Sequence, residues 1–133
     1  KDHPELHKNI KLTHPEMERF FFTVEDAAKF VITTLESAKN GEIYIPKMKK
    51  AKILAILKLI TGREKFEIIG LFPGEKIHEE LIGEAERYFS YDRESHYAIL
   101  PNIINLNPPQ AFSTKNASTF SDKDLKDLIY KQI

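Results

Sequence analysis

Apolar residues at Val24, Ala27, Ala28, Val31, Ile32 and Leu35 recur every three or four positions, and this single stripe predicts a helix from Thr23 to about Asn40. Thr23 stands where a helix start wants a hydroxyl, and Glu25 and Asp26 follow in the turn where the helix dipole favours anions. Gly41 offers the left-handed residue that commonly ends a helix. The short run Glu42-Ile43-Tyr44-Ile45-Pro46, β-branched and closed by proline, predicts a strand. Ile53, Leu54, Ile56, Leu57 and Ile60 return to helical spacing, so a second helix is expected over Lys49–Thr61, ended by Gly62. Phe66 to Gly70 reads as a second strand, and the Phe72-Pro73-Gly74 turn leads into an expected short helix from Glu75 to Ile82, stopped by Gly83. Arg87–Tyr91 and His96–Leu100 resemble the arms of a hairpin around Asp92-Arg93-Glu94-Ser95. Residues 101–120 are rich in Pro, Asn and Ser and are expected to be irregular, and Ser121 caps a terminal helix over 121–133 through Leu125, Leu128 and Ile129. Ahead of the first helix, Phe20-Phe21-Phe22 forms a strand-like run, buried on both sides if the sheet continues there. Short strands alternating with helices, without a repeat, define a small α/β fold of α+β character in one region.

Composition narrows this further. In 133 residues, 41% hydrophobic and 30% charged, a single packed domain is expected rather than two, or a disordered chain. Twenty Lys and Arg offset twenty Asp and Glu, which argues against non-specific binding to nucleic acid or anionic lipid. The absence of cysteine excludes disulfides, thiolate catalysis and cysteine-ligated metals, and is compatible with a reducing compartment. No apolar run approaches the roughly 18 to 20 residues of a membrane-spanning helix, and Lys1-Asp2-His3-Pro4-Glu5-Leu6 is too polar for a signal peptide. The expected location is cytoplasmic, and the chain reads as a piece of something longer.

Generic chemical motifs are missing. There is no G-x-G-x-x-G, no phosphate-binding G-x-x-x-x-G-K-[ST], no G-x-S-x-G elbow and no Tyr followed four residues on by Lys. No catalytic residue and no metal site is therefore assigned. His3, Glu5 and His7 lack metal-ligand spacing, with His14 further along, and are read as solvated. Lys47, Lys49, Lys50 and Lys52 would crowd cations at a helix start, against its dipole, unless a phosphate or carboxylate partners them. Asn116-Ala117-Ser118 has the form of a glycosylation acceptor and is read as chance. Glu79 and Glu80 are read as helix exterior. Two places are better disposed toward a ligand. Arg19 lies four residues before the Thr23 cap, where a guanidinium and free backbone N–H groups suit a phosphate, unless it pairs with Glu16 or Glu25. Glu75 and Lys76 follow a Pro-Gly turn that lets backbone approach a ligand, unless Glu75 merely caps.

Those two places also carry a family resemblance. Thr13-His14-Pro15-Glu16-Met17-Glu18-Arg19-Phe20, continuing through Phe22-Thr23-Val24-Glu25-Asp26-Ala27, resembles the T-x-P-x-M-x-R-F stretch of UDP-N-acetylglucosamine 4,6-dehydratases. These are extended short-chain dehydrogenases/reductases that supply sugars for capsule, O-antigen and flagellin modification. Gly41 to Lys47 is similar to their G-G-E-I-F-V-P-K, Ile68-Ile69-Gly70 with Pro73 to Glu79 to their I-I-G-x-R-P-G-E-K-L-H-E, and Ser121 to Ile129 to their closing segment. The resemblance implies that residues 1–133 form the C-terminal, substrate-binding region of such an enzyme, without its N-terminal Rossmann domain and not catalytic by itself. NADP would be held by that other domain, together with the Tyr/Lys pair. The implied reaction oxidises C4 of the sugar, removes water across C5 and C6, and returns the hydride to C6. The implied partners are a UDP-sugar, the Rossmann domain and, in the full-length form, further copies in a homo-oligomer, with no nucleic acid and no membrane segment in this chain. Carried over by position, Met17 would line the uracil pocket, Arg19 would contact the diphosphate, and Glu75 would accept hydrogen bonds from the ribose hydroxyls, with Lys76 in the same substrate-binding set.

The sequence departs from the family pattern at Phe72, where an arginine usually precedes Pro-Gly-Glu, and at Glu16, where a basic residue is common. Loss of one charge-assisted phosphate contact costs about 1.5–3 kcal/mol, so either another cation compensates, with Lys47 and Lys76 as candidates, or the substrate preference has drifted. The alternatives are a stand-alone or degenerate UDP-sugar-binding module without activity, and a purely structural or interaction domain. An isolated substrate region would also expose an apolar face, for which Phe20, Phe21, Phe22 and Met17 are the candidates, and would tend to self-associate.

Overall fold

The computed structural model describes residues 10–39 and 41–132. His3, His7 and Asn40, and the last residue of the expected terminal helix, Ile133, lie outside the described residues. The chain runs β1 (Lys11–Leu12), β2 (Glu18–Phe21), α1 (Val24–Leu35), β3 (Ile43–Pro46), β4 (Lys49–Lys52), α2 (Ile53–Thr61), β5 (Glu67–Ile68), β6 (Glu80–Ile82), β7 (Ser90–Arg93), β8 (His96–Ile99), β9 (Phe112–Ser113) and α3 (Asp122–Gln132), with a short 3-10 turn at Glu86–Phe89 before β7. This is the mixed α/β arrangement expected, built from small sheets. β1 pairs in parallel with β5, and β2 with β4, β6 with β9, and β3–β8–β7 are antiparallel. Among the described residues no helix is long and apolar enough to cross a membrane.

The β2–β4 ribbon organises the interior. Successive strand side chains face opposite ways, and here the two faces belong to different apolar clusters. Phe20 packs on the cluster of Ile45, Ile82, Ile99, Phe112 and Ala117, with its ring 5.2 Å from that of Phe112. Phe21 turns to the other face and packs with Ala51, Leu125 and Ile129, where α2 and α3 meet. The ribbon is therefore a wall shared by two small cores; the aromatic run is half-buried at Phe20 and Phe21, on opposite faces, and exposed at Phe22, rather than buried on both sides.

Two expected helices are different in the structure. Lys49–Lys52 is a strand, and α2 begins only at Ile53. Antiparallel pairing sets Phe20 opposite Lys50, the Lys50 amide donates to Ser118 O (2.9 Å), and Lys50 O accepts from the Phe120 amide (3.0 Å). Those bonds outweigh helix formation, and they keep three lysines out of a first turn where the dipole would repel them. The last turn follows expectation, with Gly62 at φ 66° donating its N–H to Lys58 O. Glu75–Ile82 likewise is not a helix: Glu80–Ile82 pairs with Phe112–Ser113 across a bulge, and Ile82 is fully buried there. That pairing also places β9 inside the 101–120 stretch expected to be irregular.

The first helix is capped as expected, Thr23 Oγ1 accepting from the Asp26 amide at 2.9 Å, but it ends at Leu35 and none of its residues is buried. Val24, Val31, Ile32 and Leu35 stand exposed, as do Ile103, Ile104 and Leu106. Of the residues expected on an open apolar face, Met17 is buried, Phe20 and Phe21 are packed, and Phe22 alone is exposed. The exposed apolar residues lie instead on α1 and, in a separate stretch of the chain, in the 103–106 loop.

Candidate functional site

Arg19 is set in β2 and reaches across to the segment before β6. The Glu18 amide donates to Ile77 O at 2.9 Å, which draws residues 77–79 alongside the strand. Arg19 Nη1 then donates to Glu18 O (2.7 Å) and Ile77 O (3.3 Å), and Nε lies 3.2 Å from Glu79 Oε1. Its carboxylate partner is thus Glu79, 60 residues away, rather than Glu16 or Glu25. A guanidinium has five N–H donors in a planar fork, and the Nη2 pair has no partner among the described residues. The Arg19 side chain as a whole is 23% exposed.

Beside it lies a groove of about 440 Å³ whose lining includes Glu75, Lys76, Ile77, His78, Glu79 and Lys115. Glu75 is placed by the Pro73-Gly74 turn: its Oε2 accepts from the Phe72 amide at 2.9 Å, its own amide donates to Phe72 O at 3.0 Å, and Gly74 takes φ 85°. One carboxylate oxygen closes the turn and the other has no hydrogen-bond partner among the described residues. Lys76 follows on the exposed side. Glu79 is fixed by exchange with the fully buried Thr114, whose amide donates to Glu79 O (2.9 Å) and whose Oγ1 accepts from the Glu79 amide (3.1 Å). Met17 is elsewhere: its side chain is buried, with Sδ 3.6 Å from Thr13 Oγ1, and its carbonyl accepts from the Ile53 amide. Glu75 and Lys76 therefore line one groove; Arg19 does not line it but bonds to Ile77 and Glu79, which do, and Met17 is set apart from it.

Behind Arg19 is a mostly buried ionic cluster that sequence patterning did not reveal. Glu18 Oε1 lies 3.1 Å from Lys50 Nζ and Oε2 3.1 Å from His78 Nδ1, which in turn is 3.3 Å from Thr114 Oγ1. A carboxylate this buried is tolerated only with such partners. The rest of the basic cluster is also matched with carboxylates, Lys47 with Asp92 (2.5 Å), Lys49 with Asp124 (3.4 Å) and Lys52 with Glu16 (2.7 Å). The hydrogen bond and charge of Lys52 hold the Glu16 carboxyl below its ordinary range, and Ser121 and then Lys49 do the same for Asp124. Lys47, a candidate for replacing the arginine missing at position 72, is committed to Asp92 and lies outside the groove's lining. Among the described residues no cluster of His, Asp or Glu has the form of a metal site.

The sequence and the fold are similar to those of known proteins. A sequence profile of the family described as "polysaccharide biosynthesis protein" matches residues 3–101, about three quarters of the chain, and the chain belongs to that family. It is 34% identical over 120 residues to a UDP-N-acetylglucosamine 4,6-dehydratase (inverting) of Campylobacter jejuni subsp. jejuni, which covers 90% of this chain and 36% of that protein. It is 34% identical over 85 residues to the capsular polysaccharide biosynthesis protein CapD of Staphylococcus aureus, covering 58% of this chain and 14% of that one. It is 30% identical over 133 residues to an uncharacterized membrane protein of Methanocaldococcus jannaschii, covering 90% and 40%. In shape it is similar to the X-ray structure of Pen from Bacillus thuringiensis, with TM-score 0.73, 27% identity, and coverage of 93% of this chain and 40% of that one. The family resemblance read from the motifs therefore stands, and the chain spans about a third of the length of the dehydratase it matches.

Proposed function

We propose that this chain is the part of a nucleotide-sugar 4,6-dehydratase that grips the UDP moiety of its substrate, a UDP-N-acetylhexosamine. The observation that carries this is the groove lined by Glu75 and Lys76, with Arg19, 56 residues before Glu75 in the chain, bonded to Ile77 and Glu79 of that lining. The two free N–H groups of Arg19 suit a phosphate oxygen pair, and the spare Glu75 oxygen suits vicinal hydroxyls. Met17 is kept as the residue lining the uracil pocket on the strength of the family motif alone, since it is buried and outside the groove's lining. The named dehydratase relative supports the choice of UDP-N-acetylglucosamine as the substrate to test.

The grip matters because binding energy from a group remote from the reacting carbons can hold the sugar in register for chemistry. In the whole protein a bound NADP would supply a hydride acceptor. This chain has no glycine-rich dinucleotide loop, so it is given no step in the redox chemistry, and the cofactor and the proton-transferring residues are assigned to the remainder of the protein. Surface polysaccharide or glycan synthesis, a cytoplasmic site of action and a homo-oligomeric whole protein complete the proposal.

Calorimetric titration of UDP and UDP-N-acetylglucosamine into this chain tests it, with Arg19→Ala as the comparison. Binding that Arg19→Ala weakens tenfold or more is expected, about what one charge-assisted contact contributes. No heat with either nucleotide, or equal affinity in the variant, overturns it.

A further inference from the structure

His78 stands in the lining of the groove that holds Glu75 and Lys76, and its ring is fixed from behind. Nδ1 lies 3.1 Å from Glu18 Oε2 and 3.3 Å from Thr114 Oγ1. Glu18 is buried, and Lys50 Nζ stands 3.1 Å from each of its carboxylate oxygens, so the group is an ionised carboxylate and can only accept. A bare Nδ1 would set lone pair against lone pair at 3.1 Å. The ring proton therefore sits on Nδ1, shared between Glu18 and the hydroxyl of the fully buried Thr114, which also accepts from the Glu79 amide at 3.1 Å.

That tautomer leaves Nε2 with its lone pair. Among the described residues the one buried side-chain nitrogen or oxygen without a partner is Arg87 Nε, so His78 Nε2, which has no partner there either, is open to solvent. The neighbouring carboxylates point to the same ligand chemistry. Glu75, Glu79 and Glu80 line the groove as well, and among the described residues only Glu79 has a cationic partner, Arg19. Carboxylates and an unprotonated imidazole nitrogen are all acceptors, so this wall suits hydroxyl donors and not further phosphate oxygens.

Resting on the nucleotide-gripping function above, we propose that His78 is a specificity residue of the groove: held in its Nδ1–H form by Glu18 and Thr114, it accepts at Nε2 a hydrogen bond from a ligand hydroxyl, on the ribose or on the hexosamine. A ligand group that can only accept is disfavoured at this spot, because its oxygen would face the nitrogen lone pair.

The first part of the test needs no ligand. Nitrogen-15 NMR of the imidazole rings of this chain, in mildly alkaline buffer, reads the tautomer directly. His78 is expected with its proton on Nδ1, and His14, whose Nδ1 accepts from the Glu16 amide at 3.1 Å, with its proton on Nε2. A proton on His78 Nε2, in the other tautomer or in the cation, overturns the proposal whether or not a nucleotide binds. Calorimetric titration of UDP and UDP-N-acetylglucosamine then compares the unsubstituted chain with His78→Asn and His78→Gln. Asparagine can keep the donor to Glu18 but carries nothing at the place of Nε2, whereas glutamine can set its amide oxygen there. His78→Asn is expected to weaken binding about fivefold, in the range of one neutral hydrogen bond, and His78→Gln to weaken it less. A loss with both ligands supports a ribose hydroxyl, and a loss with UDP-N-acetylglucosamine alone supports a hexosamine hydroxyl. Unchanged affinity in His78→Asn, or an equal loss in the two variants, overturns the contact while leaving the nucleotide grip intact. If neither ligand binds the unsubstituted chain, the grip fails and the hydroxyl contact falls with it. Far-ultraviolet circular dichroism of each variant establishes that the fold is retained.

Discussion

Replacing Lys50 by methionine removes one member of the ionic cluster behind Arg19 and leaves its shape nearly unchanged. The Lys50 and Glu18 side chains are 14% and 11% exposed, and their charged atoms are 3.1 Å apart. At an effective dielectric of about 20 that separation corresponds to an attraction of about 5 kcal/mol. Desolvation of both charges offsets much of it, so the intact pair contributes little net stability, whereas Glu18 left without its partner is an uncompensated buried anion. Removing one member of such a pair costs about 3–5 kcal/mol, and the lower end applies here because His78 Nδ1 still faces Glu18 at 3.1 Å. Against a total of about 5–15 kcal/mol for an ordinary domain, this is a large loss. In urea unfolding of this chain, a slope of about 2 kcal/mol/M turns it into a fall of about 1.5 M in the midpoint. The double replacement Glu18→Met/Lys50→Met takes out both charges and should recover most of the loss, so the two substitutions are strongly non-additive. A loss below about 1 kcal/mol in Lys50→Met, the value of an exposed pair, refutes the reasoning, as does a double variant that loses the sum of the two singles.

Acid titration offers a second check. Lys52 lowers the Glu16 carboxyl below its ordinary 4.5, so the stabilisation is present above that value and is lost as the pH falls through the lower, folded-state value. Lys52→Gln should therefore flatten the stability-versus-pH curve only in that acid window, monitored by thermal melts at a series of pH values, and an unchanged curve counts against the pairing. The bare apolar stripe of α1 predicts self-association of this chain, visible by light scattering. Ile32→Lys and Val31→Glu should reduce it, whereas a clean monomer at high concentration before any substitution removes the basis for it.

Sequence patterning read local order well and distant pairing poorly. The Thr23 cap, the stripe of α1, the left-handed Gly62 and the strand Ile43–Pro46 depend on neighbours within a few residues, and each is found where the pattern put it. Lys49–Lys52 was illegible because its only buried member is Ala51, and its partners at residues 18–21, 118 and 120 lie far away in sequence. The same applies to Glu80–Ile82, whose partner strand arrives thirty residues later inside a stretch that looks irregular. At the groove, Arg19, Glu75 and Lys76 were found through family motifs and through their position at turns. Glu18, His78, Glu79, Thr114 and Lys115 were not, since no spacing rule links residues that meet only after two sheets have formed. Glu79 even read as an exterior helix residue, and it is the partner that orients Arg19.

The segment 112–120 closes this structure: Phe112–Ser113 completes β6, Thr114 holds Glu79, and Ser118 and Phe120 bracket Lys50. During synthesis the chain emerges from its N-terminus at about 5–20 residues per second. Arg19 and Glu75 therefore leave the ribosome seconds before the strand and turn that hold them together. Until then the aromatic face of β2 and the row of lysines in β4 are open to chaperones and to other nascent chains. A ribosome stalled with residues beyond 111 still in its exit tunnel should display a protease-sensitive chain with no groove, so the groove waits on the emergence of residues 112–120.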